Sequence, residues 1–593
     1  MPVEESFSEI HEILRGADLS ALEPLPLCVL RNVVVEPIEP YLRYLGYRAG
    51  CNAQVQFGDY DNALVEALGD EGDLLHADTA CVLIACRLEN LSWGLAREFP
   101  ALDAERIREE TQRARDFVEA VVAGVRRQTP AMILWLGFER PLEPALGVLD
   151  YNRSDGQTAV ISALNEFVRE VLGRTTSAYF LDVDACRARI GAKRFYDPRY
   201  WHIGRAPYSR EGLREIACEA FKYIRALRGR SKKCLVLDCD GVLWGGIVGE
   251  DGLAGIQLGR THPGSAHFEL QQEVVNLHHR GVLIALCSNN DAEDVWEVFR
   301  SHPDMVLREE HVSVARIDWR DKPTKLREIA EELNLGLESL LFVDDSEFEV
   351  DLVRSVLPQI ETLHLPKERS VEAREMLAGG GWFDTLTLTE EDRRRGDLYE
   401  AESHRKALRV EIPDLDTYYR SLKMVLEIRF ADEVSIPRLA QLTQKTNQFN
   451  LSARRYSEEE IRRLAVDESS EVVGLRLKDR FGDSGVVGLA ILRYEDNAAT
   501  LDSFLLSCRV LGRGVEDALL AQCLKRARAK NCTVAVAVFR RTGKNQRAEG
   551  FYLKRGFRPL EACADIERFE IQLAEPAMSE PAYFEGIDSE LEG

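Results

Sequence analysis

Asp238 and Asp240 stand two residues apart directly behind an apolar run, in the stretch LVLDCDGVLWGGIVGEDG at residues 235–252. In an extended strand side chains alternate faces. The two carboxylates therefore point the same way and Cys239 points the other, unless the chain leaves strand geometry there. Like-facing carboxylates need a counter-charge, and Mg2+, a hard cation that prefers oxygen ligands, is suited to supply it. With its charge masked, Asp238 can attack phosphorus and form an aspartyl-phosphate. An acidic pair at a strand end is common without any such role, so the weight rests on what accompanies it.

The companions arrive in order, each at the end of an apolar run. Residues 282–287 (VLIALC) lead into Ser288, Asn289, Asn290 and Asp291, whose hydroxyl and amides can bind phosphate oxygens. Lys322 follows in DWRDKPTKL, just before the amphipathic run LREIAEELNLGL. Residues 339–343 (SLLFV) then deliver Asp344 and Asp345. Strands with ligands at their carboxyl ends, separated by helices, predict a parallel α/β sheet. Together the set resembles the haloacid dehalogenase (HAD) superfamily. The resemblance implies Asp238 as nucleophile and metal ligand, and Asp240 as general acid and base that also joins the metal set. It gives Ser288 and Lys322 the phosphoryl oxygens, and Asp344 or Asp345 completes the Mg2+ sphere. Neither interval where this superfamily carries caps is long enough for a large cap domain, so an open site and a large or protein-tethered substrate are expected.

Those elements sit within 593 residues, 45% of them hydrophobic, which implies about three domains with separate cores. A net charge of −24 argues against generic nucleic-acid binding. The acidic N-terminus lacks a signal-peptide pattern and no run approaches a membrane span, so a cytoplasmic protein without membrane association is expected. Thirteen cysteines without CxxC pairs or zinc spacing are expected to be reduced.

Residues 1–230 read as a first α/β domain, with apolar runs at 27–35, 80–86, 132–136 and 179–183 and a long helix at 104–128. The segment YDPRYWHIGRAPYS at 196–209 resembles the tail of an SGNH-hydrolase fold. The position for a nucleophilic serine holds Arg31, Asn32 and Val33 instead, so this SGNH-like domain is expected to dock rather than catalyse, with His202 structural. Residues 231–370 form the HAD-like Rossmannoid domain without a large cap. Residues 371–420 read as a charged helical connector, and 576–593 as a disordered acidic tail.

Residues 421–575 form a third domain, with strands expected at 425–430, 471–478, 485–493, 500–506 and 533–539. Arg509, Gly512 and Gly514 fit an R-x-x-G-x-G loop at a strand-to-helix junction, where backbone N–H groups and the helix N-terminus attract anions. With Arg513, Asn545 and the run GFYLKRGF, this order resembles the GCN5-related N-acetyltransferase (GNAT) fold, an α+β domain whose loop holds the pyrophosphate of coenzyme A. The same pantetheine arm hangs from acyl carrier proteins. Ten cations (Arg454, Arg455, Arg476, Lys478, Arg480, Arg509, Arg513, Arg540, Arg541 and Lys544) are a candidate basic face for an acidic carrier, or scattered surface charges.

The α/β multidomain combination, with NQFNLSARRY, DRFGDSGVVG and SCRVLGRGVE added to the first motifs, resembles the FkbH-like proteins of polyketide biosynthesis over essentially the whole chain. That resemblance implies transfer of a glyceryl unit from 1,3-bisphosphoglycerate to the phosphopantetheine thiol of an acyl carrier protein, with loss of both phosphates. It leaves open Cys239, Cys508 or the carrier thiol itself as the attacking sulfur. Gly241 and Val242 where members have a polar residue and Thr, and Lys325 where Asn is common, leave room for a small acid other than glycerate. Two further readings stand beside it: a plain Mg2+ phosphatase whose outer domains only dock, and an acyl-CoA acyltransferase working through the C-terminal domain.

Overall fold

The computed structural model describes residues 5–69, 74–387, 401, 404–405, 408–409, 411–560, 566–573 and 580–592. Two compact units divide the chain, Met1–Arg225 with Ser457–Glu460, and Ala226–Tyr456 with Ile461–Gly593.

The first unit holds a parallel sheet of β1 (Glu23–Arg31), β2 (Cys51–Phe57), β3 (Cys81–Ala85), β4 (Met132–Leu136) and β5 (Ala178–Leu181) in the order β2-β1-β3-β4-β5. β3 and β4 are buried along their whole length, as befits parallel strands covered on both faces. β2 escaped the sequence reading because CNAQVQF alternates polar residues through a half-exposed edge. Beyond β1, Asn32 is buried and its amide is spent on both backbone groups of Arg87, while His202 is exposed on a short helix.

The second unit contains two sheets. The first is parallel: β6 (Cys234–Leu237), β7 (Leu283–Ser288), β8 (Val312–Ile317), β9 (Leu340–Asp344) and β10 (Glu361–His364), ordered β10-β9-β6-β7-β8. The chain leaves central β6 to build outward on one side, then returns to build on the other. The carboxyl end of β6 is thus a topological switch point, where α/β sheets place their ligands. The second sheet is mixed: β11 (Val425–Phe430), β12 (Ser470–Asp479), β13 (Gly482–Glu495), β14 (Ala498–Leu506), β15 (Val534–Arg540), β16 (Arg558–Pro559), β17 (Ile566–Gln572) and β18 (Gly586–Ser589), ordered β16-β17-β15-β14-β13-β12-β11-β18.

Two boundaries differ from expectation. The expected connector at 371–420 has its ends in the neighbouring cores: Ala373, Leu377, Trp382 and Phe383 pack with the β6 sheet, and Tyr418 with the β11 sheet. Most of the charged stretch between lies outside the described residues. The tail expected to be disordered is ordered where described, because β18 pairs in parallel with β11 and Leu591 is buried in that domain's core.

Candidate active site

Asp238, Ser288 and Asp344 come from the carboxyl ends of β6, β7 and β9, three adjacent strands. Lys322 opens the helix Lys322–Glu332, fixed by Asp321, whose side chain accepts from the Thr324 N–H, and by Pro323 in the first turn. From there the buried Lys322 ammonium reaches 2.9 Å from Asp238 Oδ1 and 3.3 Å from Asp344 Oδ2, and donates to the Cys287 carbonyl. The two carboxylate contacts lie in ion-pair range but off hydrogen-bond angles, so both oxygens keep lone pairs for another partner. Gly241 (φ 73°) makes the close approach possible: a Cβ there would stand 2.1 Å from Asp345 Oδ2.

Oxygens of Asp238, Asp344 and Asp345 all lie within 4.8 Å of one another. Burial, then the charge of Asp238, raises Asp344 from 3.8 to about 7, with Lys322 pulling the other way. Asp345 is raised for the same two reasons and eased by Lys367. Burial works against a charged Lys322, but Asp238 and Asp344 outweigh it and hold the ammonium protonated. Lys322, with the exposed Lys367 against Asp345, still leaves the three carboxylates with excess negative charge, and a hard dication with oxygen ligands fits both the deficit and the donor set. The sequence left Asp344 and Asp345 as alternatives, and the structure brings both to Asp238.

The Asp240 carboxylate lies outside the trio of Asp238, Asp344 and Asp345. The chain leaves strand geometry after Leu237, and the Asp240 carboxylate turns to accept from Trp244 Nε1 (2.7 Å), the Val248 N–H (3.1 Å) and Asn290 Nδ2 (2.8 Å). Burial nonetheless raises its pKa. A carboxyl held toward its protonated form and fixed in direction can give a proton to a leaving oxygen and later take one from water. Its turn is braced by His267, whose Nδ1 pairs with the Val242 carbonyl, and by Gln271, which donates to the Leu243 carbonyl. Trp244 and these braces carried no motif signal, because only the folded turn brings them to Asp240.

Cys239 is fully buried beneath the site, its thiol bonded to the Ser288 side chain. Burial first, and Asp238 second, push its pKa well above the usual thiol range. That environment disfavours the thiolate, which is the reactive form of a thiol. Ser288 is itself 1% exposed. Lys325, read as a departure from the family pattern, is buried and donates to the carbonyls of Ser288 and Asp318 and to Asn289 Oδ1, bracing the β7 loop.

The expected pyrophosphate loop at 509–514 forms at the strand-to-helix junction, but protein covers it. The Tyr583 hydroxyl lies 1.8 Å from where a Gly514 Cβ would be and donates to the Arg513 carbonyl at 3.2 Å. Glu516, in the first turn of the following helix, has its pKa raised by burial and by Asp517. Arg513 is buried and turned toward Asp479 (3.5 Å) and the Arg509 carbonyl (2.7 Å). Asn545 is buried and donates to the carbonyls of Asn450 and Arg540. Beyond Leu501 and Ala537, β14 and β15 no longer pair, and residues 449–451 fill the seam: the Leu451 N–H donates to Phe504 O, its carbonyl accepts from Arg540 N, and Leu506 N donates to Phe449 O. An extended amide-bearing arm at this seam would have to displace that segment. Of the proposed basic face, Arg454, Arg476, Lys478, Arg513 and Arg541 each have carboxylate partners.

Comparison with solved structures finds the N-terminal part of the protein BF1531 from Bacteroides fragilis, which contains a phosphatase domain and is complexed with Mg. It is 23% identical, with a TM-score of 0.59 over 65% of this chain and 100% of that one. The two chains share a fold over that span. Residues 436–557 match the acetyltransferase (GNAT) family, making the protein a multidomain α/β chain with a C-terminal GNAT domain. PaiA N-acetyltransferase from Thermoplasma acidophilum, in complex with coenzyme A, is 20% identical over 25% of this chain and 98% of that one, with a TM-score of 0.20. Ard1 from Thermoplasma volcanium is 21% identical over 25% and 97%, also with a TM-score of 0.20. No curated protein matches. Among the described residues no helix is long and apolar enough to cross a membrane.

Proposed function

We propose that this chain is a Mg2+-dependent HAD-type enzyme that transfers a glyceryl unit from 1,3-bisphosphoglycerate to the phosphopantetheine thiol of an acyl carrier protein and removes the remaining phosphate. The observation that carries the reading is the convergence of Asp238, Asp344 and Asp345 beside Lys322. The resemblance of the sequence to FkbH-like proteins supplies the substrate and the carrier. Asp238, Asp344 and Asp345 would hold the metal, which when bound offsets negative charge on the carboxylates and on the phosphoryl oxygens.

Asp238 is the nucleophile: its side chain keeps 13% exposure, whereas that of Asp344 keeps 1%. Its carboxylate attacks phosphorus as the ester oxygen departs with a proton from Asp240. Asp240, now ionised, then deprotonates the water that hydrolyses the aspartyl-phosphate and releases phosphate. Lys322 stabilises the negative charge at Asp238 throughout. The acyl phosphate needs no such help, because the carrier thiolate attacks its carbonyl carbon, a C–S bond forms, and phosphate leaves with the C–O bond pair. Direct attack by the carrier dispenses with a relay on buried Cys239. The SGNH-like first unit is assigned to docking, and the protein to natural-product biosynthesis in the cytoplasm.

A second reading, a phosphatase whose other domains only dock, is favoured by the covered loop at 509–514. Incubation with 1,3-bisphosphoglycerate, Mg2+ and the cognate phosphopantetheinylated carrier separates the two. An intact carrier heavier by one glyceryl group supports transfer; phosphate release with an unchanged carrier mass leaves only the phosphatase.

A further inference from the structure

Several polar groups around the carboxylate trio are engaged inside the protein. Lys322 and Lys325 are buried, the first against Asp238, Asp344 and the Cys287 carbonyl, the second on the β7 loop. Asn289 donates to Glu349 Oε1 at 3.3 Å and Asn290 to Asp240 Oδ2 at 2.8 Å. Lys367 differs from all of these. Its Nζ stands 3.5 Å from Asp345 Oδ2, yet 68% of its side chain is exposed.

The backbone that carries Lys367 is fixed at the rim of the site. His364, the last residue of β10, pairs in register with Asp344, and the Leu365 N–H donates to the Asp344 carbonyl at 2.9 Å. The His364 ring meets the Asp345 carbonyl through Nε2 at 3.0 Å. Leu365 is buried, and Pro366 leads the chain into the short helix that Lys367 opens. A fixed base therefore carries a flexible alkyl stem with ammonium donors at its tip.

We propose that Lys367 forms a subsite for a second anionic group, so that the centre selects phosphate esters that also carry a carboxylate or another phosphate a few bonds from the ester. This subsite belongs to the proposed phosphate-ester centre and rests on that reading. Asp345 cannot serve two cations equally: an oxygen that enters the sphere of a dication gives its charge to the metal, and repulsion between like charges turns the ammonium outward. The site opens on that side, because the side chains of Asp238 and Asp345 keep 13% and 12% exposure whereas that of Asp344 keeps 1%. A substrate with its phosphorus at Asp238 extends through the same opening. There a carboxylate gains a charge-assisted hydrogen bond from the ammonium, and a neutral hydroxyl gains much less.

The test is calorimetric titration with two esters that differ at one group, 3-phosphoglycerate with its carboxylate and glycerol 3-phosphate with a hydroxymethyl in its place. The receiver is the full chain with Mg2+ and Asp240→Asn, which keeps the trio and slows turnover. Expected is an about fivefold preference for 3-phosphoglycerate, kept when Lys367→Arg is added and cut to within about twofold by Lys367→Gln. Mg2+ should bind Lys367→Gln at least as tightly as the wild type, since the ammonium no longer competes for Asp345. No binding of either ester, equal affinities for the two, a preference that survives Lys367→Gln, or Mg2+ binding lost in that variant overturns the proposal. Phosphate release by the wild-type chain judges the reaction separately: release without a Lys367-dependent preference sinks the subsite and keeps the phosphatase, and the preference without release does the reverse.

Discussion

Mg2+ binding should weaken steeply as the solution is acidified, and the structure fixes how steeply. In the metal-free protein Asp344 titrates near 7 instead of 3.8. A carboxyl raised in the folded state binds a proton that the unfolded chain has released. Its cost to stability is absent below about pH 3.8, grows through the window, and is complete above about pH 7, where it amounts to roughly 4 kcal/mol. Metal-free stability therefore falls as pH rises through that window, and a bound dication removes the cost.

The same proton competes with the metal for Asp344. For one competing proton at pKa 7, apparent Mg2+ affinity is about 25-fold lower at pH 5.5 than at pH 7.5. Asp345, raised in the same direction, can only steepen the trend. Isothermal titration of Mg2+ into the full-length protein at the two pH values measures it directly. Asp344→Asn should bind more weakly at pH 7.5 and lose most of the dependence. A wild-type affinity that changes less than about twofold across this range would refute the electrostatic account of the trio.

Other outcomes follow from individual contacts. Asp240→Asn should lower phosphate release by about 10²–10⁴-fold while leaving Mg2+ affinity nearly unchanged, because its carboxylate lies outside the trio; a large loss of Mg2+ binding would return it to the metal set. Cys239→Ala should charge a carrier within about threefold of the wild-type rate, since a fully buried thiol of raised pKa is a poor relay; intact carrier mass against time reads it. Gly241→Ala should lose Mg2+ binding and about 1–3 kcal/mol of stability, because its methyl would meet Asp345 Oδ2 at a left-handed φ; calorimetry and thermal unfolding check both.

Much of the centre was legible in sequence because strand ends announce themselves. Apolar runs that stop at Asp238, Ser288 and Asp344 are short parallel strands buried on both faces, and in such sheets ligands gather at the carboxyl ends. What strand periodicity could not supply was the turn after Leu237. Alternation put Asp238 and Asp240 together, whereas the left-handed Gly241 swings Asp240 to Trp244 and Asn290 and opens room for Asp345.

The GNAT loop shows the opposite limit. Its glycine spacing was readable, but its cover comes from Tyr583, far along a tail whose acidic composition suggested disorder. That contact has no local signature.

The central claim is that Asp238, in a Mg2+ centre, removes phosphate. Phosphate release from 1,3-bisphosphoglycerate should be followed for the wild-type chain with Mg2+, with EDTA, and for Asp238→Asn with Mg2+, after subtracting spontaneous hydrolysis. The account predicts release of the ester phosphate only by the wild type with Mg2+. Removal of the ester phosphate in EDTA, or by Asp238→Asn at the wild-type rate, would contradict it.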